Sequence, residues 1–487
     1  MKTDRAFRRK VGLVLGALLA GAGIFSFAIG EEKAHVPEAR AHAASPGASV
    51  PSTPTAQERT IAWLVQGEAS SDLRDRARAA SVPWTTRAVG LAGVFAILGI
   101  AFLLSNSPRE VSLRVLLWGM GLQIALALLI LRTVPGRWFF DRLGELIRRL
   151  LAFAVEGATF VFGPLAGESL GVIFAFRVLP TIIFVSSFFS ILYYLGIMQR
   201  IVLAMAKFMA WTMKVSGAES LAAAANVFMG QTEAPLIIAP YVPSMTRSEL
   251  LCLMLGGMAT IAGGVMAAYI GMGINPVYLL TGSVMAAPGA IMMAKILIPE
   301  KEEPLTRGVV RIDVKTEDRN VIEAAARGAS DGARLAINVA AMLIAFIALI
   351  ALVNALLGFL HARVSVIPPN LQWILGRLFA PLAFLMGVPT ADITEVGNLL
   401  GQKLILNEFV AYTELARVQS ALHPRSAMIA TYALCGFANF ASIGIQIGGI
   451  GGIAPNRRGD LAELGLRAMI GGFLTTCLTG TIAGLIS

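Results

Sequence analysis

The stretch Gly230-Gln231-Thr232-Glu233-Ala234-Pro235-Leu236 sets an amide, a hydroxyl, a carboxylate and a proline inside an apolar run from about Leu221 to Val242. A carboxylate at membrane depth costs several kcal/mol, so it faces a partner or a water-filled cavity and marks a path for ions or substrate. Pro235 interrupts the helix at the same point. Backbone irregularity within a bilayer persists only where protein or a cavity satisfies the freed groups, so the segment reads as a helical hairpin around a binding site. The same logic recurs at Asn407-Glu408-Phe409, and the second occurrence makes the first informative.

The elements that must position these groups follow from composition. The chain has 487 residues, 56% hydrophobic and 14% charged, with a mean hydropathy of +0.72. Several stretches are long enough to cross the ~30 Å hydrocarbon core at ~20 residues each, which makes this a polytopic, all-α membrane protein. The net charge of +10 is carried by short clusters beside apolar spans (Arg8-Arg9-Lys10, Arg148-Arg149, Arg457-Arg458). That is the placement of interfacial anchors, and it argues against nucleic acid as a partner. Cys252, Cys435 and Cys477 lie in or beside spans without close spacing, so they form no disulfide framework or zinc site. The histidines are scattered over expected loops and termini, and a His-based active site is not expected.

Residues 1–84 read as an N-terminal extension. A basic start and an apolar run from Val11 to Gly30 resemble a signal peptide or a retained signal anchor. Residues 44–60 read as a linker, and Leu64 to Ala80 as an interfacial or soluble helix. From Pro83 onward, spans are expected at 87–105, 111–131, 169–197, 249–271, 275–298, 328–360, 427–447 and 461–486. An interfacial helix is expected at Trp138–Leu151, an amphipathic one at Gln372–Met386 and a charged loop at 299–320. This gives about eight transmembrane helices plus two re-entrant hairpins, near 216–243 and 390–419.

The two halves follow one plan. After the first hairpin, Arg247-Ser248-Glu249 opens a span containing Gly257-Met258-Ala259-Thr260-Ile261-Ala262-Gly263. After the second, Arg425-Ser426 opens one containing Gly436-Phe437-Ala438-Asn439-Phe440-Ala441-Ser442-Ile443-Gly444. Paired interruptions at corresponding positions point to a secondary transporter whose midplane site forms where two repeats meet.

At these residues the chain resembles the concentrative nucleoside transporter family, over nearly all of 85–487. The resemblance rests on Asn226 through Leu236, on Ala259 through Gly263, on Leu406-Asn407-Glu408-Phe409-Val410-Ala411-Tyr412 and on Cys435 through Gly444. It implies a cation-coupled, homotrimeric symporter whose transport domain moves past a scaffold, while the style of the N-terminus points to the plasma (inner) membrane. The domain division is 85–200 scaffold, 201–298 first transport repeat, 299–369 charged loop and connecting scaffold helix, and 370–487 second transport repeat. By the same resemblance, Gln231, Thr232 and Glu233 hold the nucleobase with Val265 lining the pocket. Glu408, Asn439 and Ser442 hold the ribose, with Phe437 nearby. Sodium is bound by Asn226 and Thr260 with the carbonyls of Met229 and Ile261. The family often has serine at the Thr260 position and valine at Met229, changes that keep the hydroxyl and the carbonyl. Proton coupling, known in relatives with a different hairpin motif, is the alternative.

Elementary chemistry agrees. A carboxylate accepts from vicinal hydroxyls in a bidentate way, and amide and hydroxyl groups donate and accept along a base edge. Sodium suits oxygen ligands at broken helix ends. The blander readings pair Glu233 and Glu408 with Lys403 or Arg177, and make Asn226, Asn439 and Ser442 interhelical glue. Arg177, Asp331, Asp392 and Glu395 read as structural or interfacial. Gly448-Gly449-Ile450-Gly451-Gly452 reads as a tight loop, because no strand precedes it and no Lys-Ser/Thr follows. A membrane enzyme using the two acids lacks any neighbouring nucleophile or hydrolase signature, and an ion channel would not need a two-sided polar site.

Overall fold

The computed structural model describes residues 83–167, 173–308 and 318–487, together with Lys10 and Leu13. The expected leader, linker and 64–80 helix lie outside these residues. The described elements are helical: α1 (Trp84–Leu104), α2 (Leu113–Arg132), α3 (Val134–Phe162), α4 (Phe174–Tyr194), α5 (Ile197–Met213), α6 (Gly217–Ala225), α7 (Ala234–Ile237), α8 (Arg247–Ala259), α9 (Gly263–Gly271), α10 (Pro276–Leu297), α11 (Val321–His361), α12 (Leu371–Leu385), α13 (Ile393–Ile405), α14 (Glu408–Val418), α15 (Pro424–Leu434), α16 (Phe440–Ile453) and α17 (Arg458–Ile486), with short 3₁₀ turns between some of them.

Eight stretches among the described residues are long and apolar enough to cross a membrane. Burial sorts them. In the most apolar window of α8 and α9, 94% of positions are buried, against 17% in α11. In a bilayer an apolar side chain gains nothing by leaving lipid for protein, so buried spans must be held by close packing and polar contacts. The packing of α4 against α11 shows how: Gly328 and Gly332 bring α11 so near α4 that a Cβ there would lie 2.5 Å from Ser190 Oγ and 2.8 Å from the Ser186 side chain, respectively. On the other side, α2 packs on α10 and α17, and α1 on α12 and α17. A buried polar group helps hold this second body. Lys295 of α10 pairs with Glu219 of α6 and donates to Ser248 Oγ of α8 at 2.9 Å.

The structure departs from the sequence reading in places that share a cause. Residues 249–271 and 427–447 are not single helices; the first is broken at 260–262 and the second at 435–439. Neither break carries a proline or a charge, so hydropathy passes through both. Most of the segment 198–215, unassigned from sequence, forms α5, which ends at Met213. The helix expected at 138–151 runs 29 residues as α3. The glycine run 448–452 is helical, within α16. Its glycines are small rather than turned: Gly449 faces Thr232 and Gly451 faces Arg458.

Candidate functional site

Four interrupted elements converge through the caps of their helix ends. Asn226 is the C-cap of α6 and Thr260 the C-cap of α8. Asn407 caps the start of α14 by accepting from Val410 N at 2.9 Å, which places Glu408 in the first turn. Asn439 caps α16 in the same way through Ser442 N, at 2.9 Å. Two helix C-termini, with their exposed carbonyls, thus lie on the Asn226 side, and two helix N-termini on the Glu408 side. The dipoles favour a cation at the first and a carboxylate at the second.

Around Glu408, which is buried, Asn439 Nδ2 donates to one carboxylate oxygen at 2.8 Å and Tyr269 Oη to the other at 3.4 Å. Tyr269 stacks on Tyr412 with ring centroids 4.1 Å apart and meets Phe409 edge-on. Lys403 is fully buried but donates elsewhere, to Ala433 O and Thr476 Oγ1, both at 2.7 Å. Glu408 is therefore dressed by neutral donors, and the direct ion pair with Lys403 is not formed.

Around the first hairpin, Gln231 Nε2 donates to Ser442 Oγ at 3.1 Å, a contact between residues 211 positions apart. Gln446 Nε2 donates to Gln231 Oε1 at 3.1 Å. Thr232 is half-buried and Glu233 exposed, and Glu233 accepts from Gly230 N at 3.0 Å. Val265 is buried on α9, and Phe437 is half-buried in the second break. Among the expected site residues, the structure joins Gln231 to Ser442 and Glu408 to Asn439 directly. Ser442, expected beside Glu408, is bonded to the opposite hairpin and links the two groups. No direct bond joins Thr232, Glu233 or Val265 to these pairs among the contacts described.

The chemistry of the residues expected at the cation is compatible with one. Asn226 is fully buried, and neither its Oδ1 nor its Nδ2 has a hydrogen-bond partner. A buried orphan oxygen is costly unless something accepts it, and a sodium ion, as cargo, would. The Thr260 hydroxyl spends its proton on Gly256 O at 2.9 Å, leaving lone pairs for a cation. Met229 and Ile261 sit in the non-helical breaks. Sodium would leave the Asn226 Nδ2 as it is.

Tyr269 and Gln446 are the residues that sequence reasoning missed. Each carries a signal in retrospect: Tyr269 lies four positions after Val265 and Gln446 four after Ser442, so each shares a helix face with an expected residue.

Three family models match the chain. The one described as Na+ dependent nucleoside transporter N-terminus covers residues 92–165, the one described as nucleoside recognition covers 175–275, and the one described as Na+ dependent nucleoside transporter C-terminus covers 278–484. An "Uncharacterized transporter" of Haemophilus influenzae is 44% identical over 404 residues, which is 81% of this chain and 96% of that protein. Sodium/nucleoside cotransporter 1 of Mus musculus is 42% identical over 414 residues, and the match spans 63% of its length. Among solved structures, CNTnw in an inward-facing substrate-bound state is 40% identical with a TM-score of 0.78, covering 82% of this chain and 98% of that one. A CNTnw variant in an outward-facing state gives a TM-score of 0.80, covering 83% and 99%.

Proposed function

The chain belongs to the Na+-dependent nucleoside transporter family, and from that premise we propose how its residues divide the work. It is a multi-pass symporter of the plasma membrane rather than an enzyme, and its structural neighbours occupy outward- and inward-facing states, as alternating access requires. The nucleobase is taken by Gln231, Thr232 and Glu233 with Val265 beside it. The ribose is taken by Glu408, Asn439 and Ser442, with Phe437 against it. The co-transported sodium is held by Asn226, Thr260 and the carbonyls of Met229 and Ile261, where its charge meets two helix C-termini.

The observation that carries this reading is the Gln231–Ser442 hydrogen bond at 3.1 Å. It supports a single site between hairpins, with the Glu408–Asn439 pair on one side and the Asn226 orphan on the other. Glu408 and Asn439 exchange one hydrogen bond with each other; a bound ribose offers the carboxylate two hydroxyl donors in place of partners it already has. Movement is assigned to the two transport repeats, 201–298 and 370–487, against the scaffold formed by 85–200 and 299–369. Homotrimeric assembly belongs to the same proposal, with the exposed apolar face of α11 available to lipid and to neighbouring copies.

Uptake of radiolabelled uridine and adenosine into proteoliposomes tests the reading, with an inward sodium gradient, a proton gradient, or neither. Accumulation under sodium alone is expected. Accumulation under protons alone would keep the transporter and remove the sodium site, and accumulation of neither would remove the nucleoside assignment of this site.

A further inference from the structure

Gln446 lies one turn after Ser442 on α16 and is fully buried. Its Nε2 donates to the Met254 carbonyl of α8 at 2.8 Å and to Gln231 Oε1 at 3.1 Å. The two ends of a glutamine amide differ little in shape, so their assignment must come from the partners. Here one partner is unambiguous. A main-chain carbonyl has only lone pairs, so the Gln446 atom facing Met254 must be the nitrogen. That same nitrogen faces Gln231, so Gln231 must turn its oxygen toward it. The Gln231 nitrogen is thereby directed to Ser442 Oγ, 3.1 Å away.

The orientation holds although Gln446 Oε1 is buried without a hydrogen-bond partner. Turning the amide over would set that oxygen against the Met254 carbonyl and leave the nitrogen unpaired in its place. Gly257 keeps the space for this arrangement: a Cβ there would lie 2.8 Å from Gln231 Cβ and 2.9 Å from Gln446 Nε2. Ser442, having accepted from Gln231, keeps its own hydroxyl proton to give.

We propose that Gln446 is a specificity-determining positioning residue, which transmits the polarity of the α8 main chain to Gln231 and makes that side of the site a donor. The inference rests on the reading of Gln231 as a nucleobase contact. The site then selects bases that present a carbonyl acceptor at the edge meeting Gln231, and disfavours those that present an exocyclic amine there. Freed of Gln446, the Gln231 amide can turn over and serve either kind of base.

The test compares sodium-driven uptake of uridine, with a 4-keto group, and cytidine, with a 4-amino group, by wild type, Gln446→Leu and Gln446→Glu in proteoliposomes. Wild type is expected to prefer uridine. Both variants are expected to reduce the uridine-to-cytidine ratio of kcat/KM at least fivefold through KM, with the half-saturating sodium concentration unchanged within twofold. In a Gln231→Ala background the same substitutions are expected to add nothing to the ratio. Glutamate keeps the size of glutamine, so it carries the test should leucine prevent folding. A ratio unchanged within twofold in the variants, a shift that persists without Gln231, or loss of both proteins from the membrane would overturn the proposal. Absence of nucleoside uptake by wild type would instead overturn the functional reading beneath it.

Discussion

Glu408 and Glu233 are both carboxylates at interrupted helices, yet they are held differently. Glu408 is buried at a helix N-terminus between Asn439 and Tyr269, whereas Glu233 is exposed and bonded to its own turn. Charge-assisted hydrogen bonds contribute about 1.5–3 kcal/mol each, so Glu408→Gln is expected to abolish measurable nucleoside uptake while the protein stays in the membrane. Glu233→Gln is expected to do the same. Uptake at wild-type rates by either variant, with expression matched by immunoblot, would remove that residue from the site. Asn226 makes a separable prediction. Its orphan oxygen supports its proposed role at the cation, so Asn226→Ala is expected to raise the half-saturating sodium concentration about tenfold or more, equivalent to roughly 1.4 kcal/mol, with base preference unchanged. A sodium titration that overlays wild type would place the ion elsewhere.

At the scale of elements, the site is a meeting of helix ends whose caps are the chemistry. The break between α15 and α16 shows the packing that this requires. Gly436 has φ +156, and a Cβ on it would lie 2.7 Å from Met258 O and 2.8 Å from the Ala259 carbonyl carbon, against the end of α8. One break is thus seated on the other, backbone to backbone, and only glycine allows it. Gly436→Ala is expected to destabilise the fold by about 2 kcal/mol or more, read as a lowered melting temperature in detergent. A melting curve coincident with wild type would show that the two breaks are less tightly seated than their geometry implies.

Across the whole molecule, the proposed division sets the little-buried pair α4–α11 against the buried spans, with α9 packed on α4. Gly264 of α9 faces Ser186 of α4, with an added Cβ 3.1 Å from Ser186 Oγ, within reach of a disulfide. The double variant Gly264→Cys, Ser186→Cys is expected to lose uptake on oxidation and to recover it on reduction, because the cross-link ties a moving body to a fixed one. Full uptake by a completely cross-linked protein would refute this division of the chain. The native Cys252, Cys435 and Cys477 are all buried, so they leave the readout clear.

The sequence by itself determined the class of protein and most of its spans, and marked the two carboxylate segments, because hydropathy, proline and intramembrane charge act within a few residues of where they stand. It brought Asn226, Glu408 and Asn439 forward as candidates through family-like motifs that fall at helix ends, and Gln231 through the hairpin motif that follows Asn226. Only the tertiary structure decided where helices break without a local mark, as at 260–262 and 435–439. The groups that replace the lost helical bonds there come from segments far away in the chain. It also decided that Ser442 belongs to Gln231 as much as to Glu408, and that Gln446 governs the orientation of Gln231 from 215 positions away. The polarity of an amide is set by whatever faces it, and what faces it is known only once the repeats are packed.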